Sequence, residues 1–248
     1  MSEFTPDNYY GHCAICGHEQ IFERSGKSIR ETYPCTICKA SLREREQAHA
    51  LILAQHLGSV KSISELVMMD EFRFAKIYEP GTIGPFRKYF MPLPNYCQSD
   101  YQTDTDDKSI YSKIQHQDIE ALTFEHESFD MVITSDILEH VKNPKRAFKE
   151  IARVLRQGGL HIFTVPMQDP LPLKSLTRVS VTETEEIHLL PAHYHGNGKS
   201  GKSLVYTDFG VDIVMMLSDG GFATCMLRPT TDSSIANSIV TFVSQRMF

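Results

Sequence analysis

The chain has 248 residues, of which 41% are hydrophobic and 23% are charged, and its formal net charge is −6. This length can bury a full hydrophobic core, either as one large domain or as a large domain with a small one. The acidic balance argues against a protein that grips nucleic acid with its whole surface, although it permits a local basic patch. Because the sequence has neither an apolar run of about 18 residues nor a secretory leader, we expect a cytoplasmic protein without a membrane span.

Four of the six cysteines form two C-x-x-C pairs near the start of the chain, Cys13 with Cys16 and Cys35 with Cys38. This spacing is typical of a tetrahedral zinc site, in which each pair directs two sulfurs towards one metal ion. Four thiolate ligands close the coordination shell, so we predict a structural zinc ribbon rather than a catalytic metal centre. The alternatives are a pair of redox dithiols or cysteines without a role.

The stretch between the two pairs, QIFERSGKSIRETYP, has the pattern of a hairpin that turns at Ser25-Gly26-Lys27. A helix should lead out of the ribbon, since Leu42, Ala48, Leu51 and Leu57 recur with helical spacing. The ribbon is not strongly basic, because residues 1–50 carry fewer Lys and Arg than Asp and Glu. We therefore expect a docking or lid element rather than a nucleic-acid reader.

Strand-like and helix-like segments alternate along the rest of the chain. Strands are predicted to end at Pro80, Asp100 and Asp118, and two more cover SFDMVITSD and LHIFTVP. The helix between those two, NPKRAFKEIARVLRQGG, should be capped by Asn143 and stopped by Gly158-Gly159. A further helix and two strands should complete the sheet. This alternation predicts an α/β fold with a doubly wound, mainly parallel sheet.

Acidic residues stand where the predicted strands end, at Glu79, Asp100 and Asp118. In doubly wound sheets ligands bind beyond the carboxyl ends of the strands. Asp100 comes 21 residues after Glu79, a spacing at which a carboxylate accepts hydrogen bonds from both hydroxyls of a ribose. Asp118 is placed to accept from an adenine amine, with Ile119 flanking the ring. The alternative is that each acid only caps a strand end or the following helix.

The stretch HQDIEALTFEHESFDMVITSDILEHVKNPKRAFKEIARVLRQGGLHIFTVP closely resembles the class I S-adenosylmethionine-dependent methyltransferases, in particular their type 11-like branch. The segment CTICKASLREREQ resembles the zinc ribbon that precedes this domain in a subgroup of these enzymes. The resemblance implies a seven-stranded Rossmann-like sheet with S-adenosyl-L-methionine as methyl donor. It divides the chain into a zinc ribbon at 1–45, a helical link at 46–72 and a methyltransferase domain at 73–248.

The loop IYEPGTIGPF takes the place of the family's first cofactor motif, which is usually an acid followed by G-x-G-x-G. Glu79 and Gly81 match that motif, whereas the later glycines are displaced or absent. By this resemblance Glu79 and Gly81 line the methionine and ribose side of the cofactor, and Ser135 approaches it through its backbone. Leu138 is expected to pack beneath the cofactor.

The long irregular segment at about 167–207 follows a predicted strand and is expected to form a lid over the methyl donor. It concentrates His188, His193 and His195, and imidazole suits a base for a hydroxyl acceptor because its pKa lies near working pH. We predict His193 or His195 as base or acceptor contact, with His140 as a further catalytic candidate. The alternatives are a surface loop without a catalytic part and a second metal site.

The leading hypothesis is a methyltransferase that acts on a hydroxyl or amine of a small molecule or glycan precursor. A methyltransferase of RNA or protein, with the ribbon recognising the macromolecule, is the runner-up. The third hypothesis is a non-catalytic zinc-ribbon interaction protein. The net charge and the weakly basic ribbon favour the first hypothesis over the second. The sequence does not specify the acceptor or the oligomeric state.

Overall fold

The computed structural model describes residues 7–26, 28–55, 58–101, 114–182, 185–196, 201–228 and 239–248. Its strands are β1 (Asn8–His12), β2 (Glu19–Glu23), β3 (Ile77–Pro80), β4 (Tyr96–Asp100), β5 (Gln115–His116), β6 (Phe129–Ser135), β7 (Leu155–Thr164), β8 (Leu176–Thr177), β9 (Val179–Val181), β10 (Glu186–His188), β11 (Tyr194–Gly196), β12 (Lys202–Leu204), β13 (Thr207–Asp208), β14 (Phe222–Leu227) and β15 (Thr241–Arg246). Its α-helices are α1 (Leu42–Ala54), α2 (Ile63–Leu66), α3 (Asp70–Arg73), α4 (Arg87–Phe90), α5 (Pro144–Val154) and α6 (Ile213–Asp219). Two 3-10 helices cover Ile29–Glu31 and Leu138–His140. In the described part of the chain, every helix is too short or too polar to cross a bilayer.

The central sheet has seven strands in the order β14-β15-β7-β6-β3-β4-β5. Neighbours from β7 to β5 run parallel, whereas β15 is antiparallel to both β14 and β7. The chain enters at β3, moves outward to β5 and returns to β6 on the other side of β3, so the strand order reverses between β3 and β6. The predicted doubly wound, mainly parallel α/β sheet is confirmed.

The two strands that flank this reversal separate before they end. Strand β3 pairs with β6 only at its first two residues, Ile77 and Tyr78, although β6 runs on to Ser135. Backbone pairing between them therefore stops short of Glu79, and the carboxyl ends of both strands border an opening. Such a switch point is where doubly wound sheets bind their ligands.

The strand ends that carry the predicted acids fall at or near the expected positions. Strand β3 ends at Pro80 and β4 ends at Asp100, as predicted. The third strand is shorter than predicted, because β5 covers only Gln115–His116 and Asp118 follows it by two residues. The predicted start of that strand at 111–113 lies outside the described residues.

Helix α5 begins as its sequence predicts and ends earlier. The Asn143 side chain accepts a hydrogen bond from the Arg146 amide, and a proline fills the first turn. The prediction that Gly158-Gly159 stop the helix is wrong, because the helix ends at Val154 and both glycines lie in β7. Gly158 has a φ of +74°, and the pairing of β6 with β7 shifts register here. The two glycines therefore lie at an irregularity in strand β7.

The hairpin of the ribbon lies earlier in the chain than predicted. Strand β2 pairs antiparallel with β1, upstream of the first cysteine pair, and Tyr9 stacks on Phe22 across the two strands with ring centroids 5.1 Å apart. The expected second arm instead contains the 3-10 helix Ile29–Glu31. The predicted second strand arm is therefore wrong, and the predicted turn at Ser25-Gly26-Lys27 includes a residue outside the described residues. The aromatic pair across β1 and β2 stabilises the pairing that is observed.

Two apolar clusters cover the two faces of the sheet. One runs from the ribbon through α1 to Ile77 and Ile162, and the other joins Tyr78 and Phe163 to α5 and α6. Successive residues of a strand point to opposite faces of the sheet. Ile77 and Tyr78, and likewise Ile162 and Phe163, therefore belong to different clusters. Helix α1 begins at Leu42 after a capping box formed by Ser41 and packs on β7 and β15. The ribbon therefore shares one continuous core with the sheet.

His161 is a fully buried imidazole in β7. Its ring stacks on Phe163 with centroids 4.4 Å apart, and its Nε2 lies 3.0 Å from Thr134 Oγ1. Burial lowers the pKa of His161 from 6.5 to about 3, so the folded protein holds it neutral. The unfolded chain binds this proton near pH 6.5, so the associated stability is present above that pH and is lost as the pH falls towards 3.

We predict that His161→Gln weakens the acid sensitivity of the fold. Between pH 7.5 and pH 5, this linkage should cost the wild type about 2 kcal/mol of its free energy of unfolding, and the variant should not lose that part. Urea unfolding at the two pH values measures the difference. His126→Gln, at an exposed position, is the matched control and should behave as the wild type. An equal pH dependence in all three proteins would contradict the prediction.

Candidate functional site

Glu79 is buried at the carboxyl end of β3, beside the switch point. It is 8% exposed, and its Oε2 accepts a hydrogen bond of 2.7 Å from the Tyr96 hydroxyl. Burial raises the pKa of Glu79 from 4.5 to about 7, although Tyr96 and Arg87 act in the opposite direction. A cationic group bound here would favour the ionised carboxylate. The chemistry of this strand end therefore suits a ligand that carries positive charge.

The loop after β3 leaves its backbone open at the predicted glycine. Gly81 has a φ of +97°, which favours glycine, and a Cβ built on it would meet no heavy atom within 4 Å. At Gly84 a Cβ would lie 3.5 Å from Glu79 Oε1. The space beside Gly81 thus allows a ligand to lie against the main chain next to Glu79.

The remaining predicted cofactor residues occupy two kinds of surroundings. Asp100 is buried at the end of β4, while Asp118 Oδ1 accepts a hydrogen bond of 2.8 Å from the Glu120 amide and so caps a turn. Ile119 and Leu138 are both buried in the apolar cluster on the α5 side of the sheet. The contact of these four residues with a cofactor stays a prediction.

Helix α1 reaches the carboxyl end of β6 through Gln47, which is fully buried. Its Nε2 donates to the carbonyl oxygens of Thr134 at 3.0 Å and Ile162 at 3.3 Å, and its Oε1 accepts from Ser135 Oγ at 2.7 Å. Gln47 therefore ties β6 to β7 and engages the Ser135 hydroxyl. The Ser135 main chain remains the part predicted to approach a cofactor.

Two arginines from the ribbon side of the chain converge on Asp136, directly after β6. Arg30 Nη2 lies 2.5 Å from Asp136 Oδ1, and Arg43 Nε lies 3.2 Å from Oδ2. Arg30 also donates from Nη1 to the Val165 carbonyl at 2.8 Å, so it bridges the ends of β6 and β7. Burial alone would raise the pKa of Asp136, but Arg43 and Arg30 lower it below its usual value. The carboxylate is therefore ionised and fixed.

Two of the three predicted catalytic histidines, His140 and His195, lie beside Glu139, and the third, His193, contacts the ring of His195. The rings of His140 and His195 have centroids 5.2 Å apart, and those of His193 and His195 are 4.9 Å apart. Glu139 Oε1 lies 3.5 Å from His195 Nδ1 and 3.6 Å from His140 Nε2. The structure thus brings His140, which follows β6, together with two histidines that come more than 50 residues later in the chain.

The insertion at about 167–207 is held against the 3-10 helix Leu138–His140. It contains β11 paired with β12, β9 paired with β10, and β8 paired with β13 at its end. The Tyr206 amide donates to the Glu139 carbonyl at 2.8 Å, and His140 Nδ1 lies 2.8 Å from the Leu204 carbonyl oxygen. These contacts fix the insertion beside the carboxyl end of β6.

The four cysteines of the ribbon bring their sulfurs to one point. All four sulfurs lie within 4.8 Å of one another, with Cys13 and Cys38 at 3.7 Å and Cys16 and Cys35 at 3.6 Å. Tetrahedral zinc with Zn–S bonds of about 2.3 Å separates its sulfurs by about 3.8 Å, whereas a disulfide bond measures about 2 Å. Gln20 Nε2 lies 2.9 Å from Cys35 Sγ and supports a thiolate there. The donor set and its dimensions fit zinc.

Sequence reasoning missed three residues that shape this site: Arg30, Arg43 and Gln47. The arginines and Gln47 reach across 88 to 106 positions of the chain, and no short spacing reports such contacts. Glu139 directly precedes the predicted residue His140, but its contact with His195 depends on how the insertion folds back.

The sequence model of a family described as "Methyltransferase domain" matches residues 93–163. The ubiquinone biosynthesis O-methyltransferase of Coxiella burnetii is 40% identical over 50 residues, which are 20% of this chain and 21% of that protein. The sarcosine/dimethylglycine N-methyltransferase of Aphanothece halophytica is 41% identical over 49 residues, 20% of this chain and 18% of that protein. The chain thus matches about a fifth of the length of these curated relatives.

Two solved structures share the fold at low sequence identity. The CurJ carbon methyltransferase has a TM-score of 0.51 and 16% identity, with 87% of this chain and 57% of that chain covered. CalS10, an amino pentose methyltransferase of Micromonospora echinaspora solved with S-adenosylmethionine bound, has a TM-score of 0.50 and 11% identity, with 85% and 94% covered. Part of this chain is thus similar to methyltransferases, and the two solved structures show that its Rossmann-like fold is shared with enzymes of that kind.

We predict that Arg30→Gln lowers the free energy of unfolding by about 2–3 kcal/mol, because it removes one partner of a largely buried ion pair and leaves Asp136 with Arg43 and the Thr164 hydroxyl. Arg156→Gln removes an exposed pair with Asp130 and should cost less than about 1 kcal/mol. Urea unfolding of both variants checks the contrast. Equal effects would mean that the ribbon arginine contributes no more than a surface charge.

Proposed function

We propose that this chain transfers a methyl group from S-adenosyl-L-methionine to a hydroxyl or amine of a small molecule or glycan precursor. The observation that carries the proposal is the arrangement at the switch point. Buried Glu79 and Asp100 end adjacent strands there, and the histidine cluster around Glu139 follows the strand on the other side of Glu79. A donor site and an acceptor site would thus lie side by side along one edge of the sheet.

Each residue on the donor side has a role in this proposal that matches its chemistry. Asp100 would accept hydrogen bonds from the ribose hydroxyls, and Asp118 with Ile119 would hold the adenine. Glu79 and Gly81 would face the methionine part, where a buried carboxyl and an open main chain suit a cationic ligand. The bound donor supplies an activated sulfonium methyl, so the protein has to align it with the acceptor and exclude water.

On the acceptor side, His195, His193 and His140 would contact the acceptor or take its proton, and the insertion would cover the reacting groups. The relatives named as an O-methyltransferase of ubiquinone biosynthesis and an amino pentose methyltransferase fit a small-molecule acceptor. An RNA acceptor would need a basic contact surface, and the net charge of −6 disfavours it. Tight RNA binding that weakens steeply with salt would reverse this order.

Zinc held by Cys13, Cys16, Cys35 and Cys38 would have a structural role. Four thiolates leave no open position for water, so the metal would supply folding energy and no catalytic chemistry. The ribbon would then be the support from which Arg30 reaches Asp136 at the acceptor side of the site.

Methyl transfer can be tested while the acceptor is still unidentified. The purified protein is incubated with S-adenosylmethionine that carries a ¹³C-methyl group and with a cell metabolite extract, and products with the labelled methyl are identified by mass spectrometry. The proposal predicts at least one labelled small molecule that is absent when the protein is omitted. Failure of the protein to bind S-adenosylhomocysteine at millimolar concentration would instead favour a non-catalytic interaction protein.

We predict that Asp100→Asn weakens S-adenosylhomocysteine binding at least about tenfold. Loss of a charged acceptor for two ribose hydroxyls costs about 1.4 kcal/mol or more, which corresponds to that factor. Isothermal titration calorimetry measures the dissociation constants. Asp219→Asn, at an exposed position in α6, removes the same charge and should bind like the wild type. Indistinguishable affinities for the two variants would remove Asp100 from the donor site.

We predict one zinc ion per chain, lost in Cys35→Ser. The substitution should also lower the thermal unfolding midpoint, because the metal contributes to the folding of the ribbon. Elemental analysis by mass spectrometry and calorimetry give the two readouts. Cys225→Ser, at an exposed cysteine outside the ribbon, should keep both the metal and the midpoint. A metal-free wild type with native stability would refute the zinc assignment.

A further inference from the structure

Glu139 is a buried carboxylate that methyl transfer as proposed does not by itself explain. Its side chain is 2% exposed, and both its oxygens are buried without a hydrogen-bond partner at normal distance. A buried carboxylate in such surroundings is costly unless another group shares a proton or charge with it. The groups near enough to do so are His195 and His140, at 3.5 and 3.6 Å from Oε1.

The hydrogen-bonding partners of the two imidazoles differ. His140 Nδ1 faces the Leu204 carbonyl oxygen at 2.8 Å, and because a carbonyl only accepts, Nδ1 carries the hydrogen. A neutral His140 therefore turns an unprotonated Nε2 towards Glu139 and cannot donate to it. His195 Nδ1 has no such competing acceptor in the described part of the chain, so it is the natural donor to Glu139.

The surroundings of the pair reinforce this assignment. Asp136 lies near enough to repel a negative charge on Glu139 and to favour a positive charge on His195, which burial and, more weakly, Arg30 oppose. Burial raises the pKa of Glu139, and the contact with Glu139 raises the pKa of His195 above 6.5. Glu139 and His195 therefore form a carboxylate–imidazole pair, with the proton on His195 Nδ1 directed at Glu139.

The ring of His195 is also fixed in orientation. His195 belongs to β11, which pairs with β12. Its ring lies edge to face with the ring of His140 and with the ring of His193. With Nδ1 directed at Glu139, the other nitrogen, Nε2, points away from the carboxylate. The side chain of His195 is 28% exposed, so Nε2 can be reached from outside the cluster.

We propose that Glu139 is the positioning residue that holds His195 in its Nδ1–H form, that His195 Nε2 is the base of the reaction, and that the acceptor is therefore a hydroxyl compound. This inference rests on the proposed methyl transfer. As the acceptor oxygen forms its bond to the methyl carbon, the methyl–sulfur bond breaks and sulfur keeps the electron pair. The hydroxyl proton passes to Nε2, giving a methyl ether, S-adenosylhomocysteine and an imidazolium paired with Glu139.

The hydroxyl class follows from what a base is needed for. A neutral amine attacks a sulfonium methyl with its own lone pair and sheds its proton afterwards. A hydroxyl is a weak nucleophile until it loses its proton, and a positioned base typically contributes a factor of about 10²–10⁴. A buried carboxylate behind a histidine is therefore expected for oxygen and is needed less for an amine that reacts in its neutral form.

The first test is nuclear magnetic resonance of ¹⁵N-histidine-labelled protein, with the His195 signal assigned from its loss in His195→Gln. We expect Nδ1–H in the wild type, and a fall of about one unit or more in the pKa of His195 in Glu139→Gln. Glu125→Gln, at an exposed glutamate, should change neither. If His195 of the wild type carries its hydrogen on Nε2, that result by itself overturns the proposal. It does not depend on whether Glu139→Gln folds.

The second test uses the labelled methyl donor. Products should carry the methyl on oxygen, His195→Gln should lower kcat by about 10²-fold or more, and Glu139→Gln should lower kcat and shift its pH profile. Both variants should bind S-adenosylhomocysteine like the wild type. If the wild type itself does not bind S-adenosylhomocysteine, the proposed methyl transfer fails. If it binds but the variants behave otherwise than predicted, only the roles of His195 and Glu139 fail. Methylated nitrogen, or an unchanged pH profile in Glu139→Gln, would overturn the proposal. So would activation by Mn²⁺ that selectively broadens the His140 and His195 signals, since Glu139 would then hold a cation and not a proton.

Discussion

The ion pairs of Asp136 with Arg30 and Arg43 connect the ribbon to the edge of the sheet on which the proposed chemistry depends. Removing one charge from such a pair is costly, because it leaves the remaining buried charge without full compensation. Their contact places the 3-10 helix Ile29–Glu31 against the ends of β6 and β7, where Arg30 also binds the Val165 carbonyl. The ribbon is consequently part of the wall of the site and shares a hydrophobic core with the sheet.

The edge of the sheet divides into two halves at the reversal of strand order. On one side, β3 and β4 end in buried carboxyl groups that suit a ribose and a cationic tail. On the other, β6 leads directly into Asp136 and Glu139, against which the insertion places His195. Because β3 and β6 stop pairing before they end, the two halves meet across an opening of the sheet itself. In the proposed reaction, this topology would bring donor and acceptor together, and the insertion would add the groups that handle protons.

The sequence predicted those features that depend on neighbours in the chain. Alternating strands and helices, the Asn143 cap, the acids at strand ends and the two cysteine pairs are local signals, and the sheet and the sulfur cluster agree with them. The ribbon hairpin was misplaced because the partner of β2 is chosen by an aromatic contact upstream. The contact of Glu139 with His195 was not predicted because it arises only when the insertion folds back, and Arg30 was missed because its partner is 106 positions away.

A crystal structure with S-adenosylhomocysteine bound would be the most direct measurement of whether the two halves form one active site. The account predicts the ribose hydroxyls on Asp100, the homocysteine part beside Gly81 and Glu79, and the sulfur turned towards the side of the opening where His195 lies. Arg30 would remain paired with Asp136. A ligand bound elsewhere on the chain, or a sulfur turned away from the histidine cluster, would contradict it.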